Sequence, residues 1–333
     1  MLSTKDYVLS RLISCNGYIS GQSLSEDLGI SRAAINAAVK TLRSEGYDIS
    51  STTNLGYKLN NHPDQISRGE LLAYLPDDRM NDVIVLTEVD STNKYLKGIA
   101  YDGAPSGTVV IADHQTAGRG RLGRSFHSPS GCGIYLSYLM RPSISPELVS
   151  RITCWAAVAV ANAISSVCGV TPSIKWVNDP QINGKKISGI LTEMSIESET
   201  GSISSVVIGI GINVNEDPSV FPEEIRDTAS SIRHETGKTE PILRSLLASK
   251  LIEELDTMCS RFPAAHDEYL ASYRKLCSTV GLEVSVVSAH NHESETPRLG
   301  KAIAVNDDFS LKVRMSDGHE EDLRSGEVSV RRI

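Results

Sequence analysis

The run Gly118-Arg119-Gly120-Arg121-Leu122-Gly123-Arg124 constrains this chain more than any other stretch. It follows the apolar run Val109-Val110-Ile111-Ala112 and then Gln115, so a strand ends here and gives way to a loop. Glycine lets the backbone approach a ligand closely and adopt positive φ, and arginine forks grip carboxylate or phosphate oxygens with several donors each. The run lacks the terminal Gly-Lys-Ser/Thr of a phosphate loop and the spacing of a dinucleotide fingerprint, so neither of those nucleotide-binding modes applies. On these residues alone two readings stay open: a mobile anion-binding loop, and a solvated basic segment that touches nucleic acid.

At 333 residues the chain is long enough for two or three domains with a sizeable core. No apolar run reads as long enough to span a membrane, and the N-terminus lacks a basic segment followed by an apolar stretch and a cleavage site, which predicts a cytoplasmic protein. The net charge of −8 argues against non-specific nucleic-acid binding by the whole molecule, but leaves room for a small DNA-reading segment on an acidic body. Cys15, Cys132, Cys154, Cys168, Cys259 and Cys277 are scattered, with none at zinc or redox spacing, and read as free thiols in a reducing compartment.

Residues 1–60 carry the pattern of a helix-turn-helix with a wing. Leu2 to Ser14 and Ser23 to Leu28 read as two helices, with Gly29-Ile30 as the turn. Ser31 then caps a third helix whose Ile35, Ala38, Val39 and Leu42 bury one face. The opposite face presents Arg32, Asn36, Lys40 and Arg43, types that suit base edges and phosphates. Tyr47 to Ser51 and Gly56 to Leu59 read as a hairpin wing. Six basic side chains stand against five acidic ones here, so charge alone leaves DNA binding and a protein-interaction domain both open. His62-Pro63-Asp64 reads as a linker.

From Ser67 to about Tyr273 the pattern mixes helix and strand. Val83 to Val89 runs into Asp90-Ser91-Thr92-Asn93, which suits either a ligand head group at a helix start or plain capping. Ile134 to Leu139 alternates as a strand, and Pro146 to Cys168 reads as a buried helix. Ser173 to Val177 is a strand ending in Asn178-Asp179-Pro180. Lys186 lies beyond an Asn183-Gly184 turn, ahead of a strand carrying Gly189 to Glu193. Val206 to Asn215 contains Gly209 and Gly211, which mark either a bulge or tight helix crossing, or a ligand packed against the strand.

Five of these elements, Asp90-Ser91-Thr92-Asn93, the Gln115 to Arg124 loop, Lys175-Trp176-x-Asn178-Asp179, Lys186 with Ser188-Gly189-Ile190-Leu191, and Gly209-x-Gly211-Ile212-Asn213, follow one another as in a known family. The chain resembles the bifunctional biotin protein ligases and biotin operon repressors, from the N-terminal segment to the C-terminus. The resemblance implies that biotin and ATP, with Mg2+, form biotinoyl-5′-AMP and pyrophosphate, and that the biotinyl group then passes to one lysine of a carboxylase carrier domain. It implies no permanently bound cofactor. It places Ser91, Thr92, Gln115, Gly118, Gly189 and Leu191 around biotin, with Arg119, Arg121 and Lys186 as cations facing both reactants. Arg124, Phe126, Asn178 and Asn213 fall on the adenylate side, and Asp179 is a candidate acceptor for the incoming lysine. Joining two anions requires such fixed cations. Phe126 stands where the family often has tryptophan, and Val177 and Pro180 depart from its Trp-Pro-Asn-Asp pattern. For the operator-bound form the resemblance implies an adenylate-loaded homodimer on an inverted repeat.

The expected architecture is α+β in three parts: a winged helix-turn-helix over 1–62, with Ser31, Arg32, Asn36, Lys40 and Arg43 toward DNA; a mixed-sheet, class II synthetase-like catalytic domain over 63–276; and an SH3-like β-barrel over 277–333. The short alternating runs Glu283 to Ser288, Lys301 to Asn306, Ser310 to Met315 and Glu327 to Arg332 support the barrel. Ser288 to Pro297 reads as an exposed loop whose His290 and His292 are solvated and not metal ligands. A lipoyl or octanoyl ligase or transferase is one alternative, opposed by the complete Gly/Arg loop. A non-catalytic biotin-responsive repressor is the other, opposed by Lys186 and the arginines.

Overall fold

The computed structural model describes residues 2–197, 199, 201–288, 297–324 and 328–332. Three helices, α1 (Thr4–Ser14), α2 (Gly21–Leu28) and α3 (Arg32–Ser44), precede a hairpin of β1 (Asp48–Thr52) and β2 (Gly56–Asn61). Each helix starts after a serine, Ser3, Ser20 or Ser31, whose hydroxyl accepts the backbone N–H three residues on. Ser20 therefore starts α2 ahead of the expected Ser23, and Gly29, at φ 64°, ends it. Val8, Leu9, Leu12, Leu24, Ile35, Val39 and Leu42 close a small core with Tyr47 and Ile49 of the wing side.

The segment expected as a linker is fastened on both sides. After it comes α4 (Arg68–Leu72), whose Glu70 is fully buried. Glu70 accepts the Tyr47 hydroxyl at 3.0 Å and the Ser245 hydroxyl at 2.8 Å, and lies 3.1 Å from His62 Nδ1. Asp64 takes the Arg244 Nε at 2.8 Å, and the same guanidinium reaches Asp113 at 2.8 Å and the Gly133 carbonyl at 3.1 Å. Burying a carboxylate without partners is costly, and these have several, so the winged segment is held against the body by charge-assisted bonds.

The body contains β3 (Val83–Val89), α5 (Thr92–Tyr101), β4 (Val109–Gln115), β5 (Gly133–Met140), α6 (Val149–Cys168), β6 (Ser173–Lys175), β7 (Asp179–Ile182), β8 (Lys185–Lys186), β9 (Ser188–Ile196) and β10 (Ile203–Asn213). Helices α7 (Glu223–Arg226), α8 (Ile232–Thr236), α9 (Arg244–Arg261) and α10 (His266–Leu276) follow. Its main sheet has the order β3-β4-β5-β10-β9, with β3 and β4 parallel and the remaining pairs antiparallel. Side chains alternate between the faces. Val109, Ile111, Leu136, Ile208 and Ile210 point into the large core shared with α6 and α9, while Val110, Leu139 and Val207 meet Leu96 and Ala100 of α5 on the other face.

One expectation is corrected here. The stretch Pro146–Cys168 is long and apolar enough to cross a membrane by length and composition, with a mean hydropathy of 1.4. Of its most apolar window of 18 residues 72% is buried within the protein, because α6 packs between the main sheet and the later helices and leaves only the polar Ser150, Asn162 and Ser166 exposed.

The last part is one antiparallel sheet of β11 (Glu283–Ser288), β12 (Arg298–Val305), β13 (Leu311–Met315), β14 (Glu320–Leu323) and β15 (Val328–Arg332), in the order β14-β13-β12-β11-β15. Among the described residues β14 and β15 are its two ends. Its Val284, Val286, Leu311 and Val313 join the large core. Trp176 Nε1 donates to the Phe309 carbonyl at 2.9 Å, and Arg274 Nε to the Val305 carbonyl at 2.9 Å, locking this sheet to the body. His290 and His292 lie outside the described residues.

Candidate active site

The sheet face turned toward α5 carries Gly189, Leu191 and Glu193 of β9 opposite Gly211, Gly209 and Val207 of β10, which stand beside Tyr135, Ser137 and Leu139 of β5. A Cβ on Gly209 would lie 2.2 Å from Asn93 Oδ1, and one on Gly211 2.4 Å from the Phe126 ring. The β10 glycines are therefore not a bulge, and at Gly209 the close approach is that of helix α5. They make room for two side chains of the layer above, one from the start of α5 and one from the Gly/Arg loop. Gly189 lies under the same phenyl ring and beside Lys186, and a Cβ there would stand 3.3 Å from the ring and 3.2 Å from Lys186 Cε.

The loop itself is a hydrogen-bonded hairpin. Phe126 N–H donates to the Gly118 carbonyl at 2.9 Å and Gly120 N–H to the Arg124 carbonyl at 2.7 Å, with Gly123 at φ 72° in the turn. Gly118 has no room for a side chain, since a Cβ would stand 2.4 Å from the Phe126 carbonyl oxygen. Arg119 and Arg124 are exposed, whereas Arg121 is half-buried and its guanidinium donates to Asn178 Oδ1 at 3.2 Å. Burial lowers the Arg121 pKa, with Asp179 opposing that fall. Lys186 Nζ is 2.7 Å from Asp179 Oδ1. The motif residues Arg121, Asn178, Asp179 and Lys186 thus meet beside Gly189, although up to 65 residues separate them in sequence.

Next to this cationic corner lies a buried polar relay. Gln115 Oε1 accepts Thr92 N–H at 2.9 Å, and Gln115 Nε2 donates to Ser128 Oγ at 3.0 Å. Ser137 Oγ lies 2.8 Å from Thr92 Oγ1 and 2.6 Å from Asn93 Oδ1, while Asn93 Nδ2 donates to Glu193 at 2.8 Å. Burial raises the Glu193 carboxyl, but the Asn93 hydrogen bond and the Lys97 and Arg119 charges outweigh it, so its pKa falls and it is a carboxylate. Ser91 is buried at the N-cap of α5 without a side-chain capping bond, so plain capping does not explain it.

Asn213 stands at the end of β10, buried, with its Nδ2 donating to the Ser230 carbonyl at 3.0 Å. Of the two departures, Phe126 keeps an aromatic face over Gly211 and meets Tyr135 edge-on at 6.4 Å. Pro180 lies in β7, paired with Ile174, and the Trp176–Val177 peptide is cis. The strand expected to run to Val177 stops at Lys175, because Trp176 turns toward Phe309 and Thr279 of the last part.

In the winged segment, Arg32, Asn36 and Lys40 are exposed along α3, after Ser31 at its cap. Arg43 is exposed too, but its guanidinium donates to the Ile49 carbonyl at 2.8 Å and Ser51 Oγ at 2.6 Å, so it braces the wing against α3. Sequence reasoning passed over Ser128, Ser137 and Glu193 and gave Asn93 no role of its own. The one signal for them was Gly209, which announces a close approach without saying by what. Among the described residues no group of three His, Cys, Asp or Glu side chains is placed to share a metal ion.

The biotin/lipoate A/B protein ligase family matches residues 85–213, and an HTH domain matches residues 4–58. The chain is 42% identical over 224 residues to the bifunctional ligase/repressor BirA of Bacillus subtilis (strain 168), spanning 67% of this chain and 68% of that protein. It is 30% identical over 330 residues to the bifunctional ligase/repressor BirA of Salmonella typhimurium, spanning 99% of this chain and 98% of its relative. The biotin protein ligase from Aquifex aeolicus, solved in complex with biotin and ATP, is similar in structure with a TM-score of 0.63 at 30% identity, covering 75% of this chain and 99% of that one. A helix-turn-helix followed by a ligase core, matched over nearly full length, means that the chain belongs to the BirA family of bifunctional ligase/repressors.

Proposed function

We propose that the chain, an ATP-dependent biotin protein ligase with a helix-turn-helix repressor segment, joins the carboxylate of biotin to the α-phosphate of ATP beneath the Gly118–Arg124 hairpin. Pyrophosphate leaves, and the biotinyl group of biotinoyl-5′-AMP passes to one lysine of a biotin carboxyl carrier domain. The observation that carries this reading is the meeting of Arg121 and Lys186, through Asn178 and Asp179, beside the Thr92–Gln115 relay. Two anions brought together there find fixed cations, and a ring system finds donors and acceptors within reach.

In this division of labour Ser91, Thr92, Gln115, Gly118, Gly189 and Leu191 surround biotin. Arg119, Arg121 and Lys186 face the reacting carboxylate and phosphate. Arg124, Phe126, Asn178 and Asn213 lie toward the adenylate, and Mg2+ enters as the counter-ion of ATP. Asp179, released from Lys186 as that cation turns to phosphate, accepts a hydrogen bond from the incoming lysine amine. Closure of the hairpin keeps the mixed anhydride from water.

The repressor half uses a winged helix-turn-helix over 1–62, with Arg32, Asn36 and Lys40 toward operator DNA and Ser31 and Arg43 setting the helix and wing. The catalytic domain, class II synthetase-like, extends over 63–276, and an SH3-like barrel over 277–333. A single such reader offers few base contacts, so two copies on an inverted repeat are required. Edge strand β9 exposes Met194 and Ile196 and supplies a symmetric surface for an adenylate-loaded homodimer. We place the protein in the cytoplasm, where its carrier and its DNA are found.

Incubation with Mg-ATP, a carrier domain and either biotin or lipoate tests the ligase reading. Biotin should be attached to a single carrier lysine and lipoate should not. Attachment of lipoate alone points to the lipoyl alternative, and attachment of neither to a sensor without catalysis. Sedimentation and operator titration with and without the adenylate test the repressor half, which fails if assembly and affinity are both unchanged.

A further inference from the structure

The relay beneath the ring pocket has a fixed proton direction, and it is set from outside the pocket. The Glu193 carboxylate and the Leu191 carbonyl are acceptors only, and Asn93 Nδ2 reaches them at 2.8 and 3.4 Å. They hold the Asn93 amide with Nδ2 toward β9 and Oδ1 toward β5. Oδ1 can only accept, so the single Ser137 proton, 2.6 Å away, points to it. Ser137 then has only lone pairs for Thr92 Oγ1 at 2.8 Å. The Thr92 proton goes either to Ser137 or to Gln115 Oε1 at 3.1 Å, and in both cases it stays inside the protein. What Thr92 Oγ1 has left for a ligand is lone pairs.

The other end is equally settled. Ser128 Oγ donates to the Phe126 carbonyl at 3.0 Å, accepts from Gln115 Nε2, and so keeps Gln115 Oε1 turned to Thr92. Gly209 makes the arrangement sterically possible, since any Cβ there would collide with Asn93 Oδ1. Lys97, 3.0 Å from Glu193 Oε1, steadies the carboxylate at the far end.

We propose that Glu193, acting through Asn93 and Ser137, is a positioning residue that makes Thr92 an obligate acceptor and so selects a ligand ring with an N–H at that point. The inference rests on the reading in which biotin's ureido ring lies against Thr92 and Gln115. A ring oxygen or sulfur in place of that N–H sets lone pair against lone pair, and a dithiolane has no N–H to offer.

Glu193→Gln replaces an acceptor-only group by an amide that can donate. The Asn93 amide can then turn over, and Ser137 and Thr92 regain a choice of proton direction. The probes are biotin and its two cyclic carbamate analogues, in which one or the other ureido N–H is a ring oxygen of nearly the same size. Their equilibrium binding is measured by titration calorimetry with the full-length chain. Wild type should reject one carbamate relative to biotin on the order of a hundredfold, and Glu193→Gln should reduce that ratio to about tenfold or less. Ser137→Ala cuts the same relay without touching Glu193 and should reduce the ratio likewise, which keeps the test decisive if Glu193→Gln does not fold. Wild-type ratios in folded Glu193→Gln or Ser137→Ala overturn the inference alone, whereas a wild-type chain that binds no biotin removes the underlying reading.

Discussion

Glutamine at position 216 should make the protein less sensitive to alkaline pH. Glu216 follows the end of β10, is 2% exposed, and among the described residues has no side-chain or other hydrogen-bond partner at either carboxyl oxygen. Burial pushes its pKa from 4.5 up to about 7; nearby backbone amides and the Arg244 guanidinium temper the rise without reversing it. A carboxyl raised in this way keeps its proton in the folded state where the unfolded chain has already lost it. Its contribution to stability is therefore fully present below pH 4.5 and is lost as pH rises toward and through about 7. Each pH unit inside that window removes about 1.4 kcal/mol, so moving from about pH 5 to about pH 8 takes away at most about 2.5 kcal/mol. Relaxation around the ionised group reduces the expected loss to between about 1 and 2.5 kcal/mol.

Glu216→Gln retains the shape and cannot ionise. Urea unfolding of wild type and variant at the two pH values, followed by the fluorescence of buried Trp155 and Trp176, gives the stabilities. The informative quantity is the variant's advantage at high pH minus its advantage at low pH, in which packing effects cancel. The His62 contribution also cancels; its hydrogen bond to Glu70 raises its pKa in both proteins. An advantage that does not change with pH would mean that Glu216 is an ordinary carboxylate in the folded state, and would refute the reasoning from burial.

Lys186→Ala should lower adenylate synthesis by roughly two to three orders of magnitude with the fold intact, as for loss of a preorganised cation; pyrophosphate release near the wild-type rate removes Lys186 from the site. Gly211→Ala puts a methyl group 2.4 Å from the Phe126 ring and should displace it. The efficiency of ATP use should then fall by about ten- to a hundredfold, and unchanged kcat/KM for ATP would separate Phe126 from the reaction. Glu70→Ala strips partners from Tyr47, His62 and Ser245 and should cost about 2–4 kcal/mol in urea unfolding. A change within about 0.5 kcal/mol would mean that the winged segment is not fastened there.

The winged segment was legible because local signals agree: serines at three helix starts, Gly29 at a helix end, and Ile35, Val39 and Leu42 on one face. The site residues were legible as motifs. Their order along the chain, with a glycine pair in one strand and cations after turns, announces close approach and anion handling. The seam between the parts was not legible. Glu70 and Ser245 are 175 residues apart, and no periodicity or turn chemistry couples an ordinary-looking glutamate to an ordinary-looking serine at that distance. The same holds for Glu193, whose alternation within a strand says which face it occupies but not that Asn93 reaches it. Arg43 shows the converse case: its face was predicted from helical spacing, and the carbonyl it braces, at Ile49, lies beyond the helix end, where that spacing has no force.

In the proposed function one cleft both makes the adenylate and holds it. Wild-type protein incubated with biotin and Mg-ATP, without any carrier, and then freed of small molecules by gel filtration can be weighed by native mass spectrometry. About one equivalent of biotinoyl-5′-AMP should remain with the protein and disappear when a carrier domain is added, with biotin appearing on the carrier. Protein that emerges bare, after releasing no pyrophosphate, would contradict a cleft that makes and holds the adenylate.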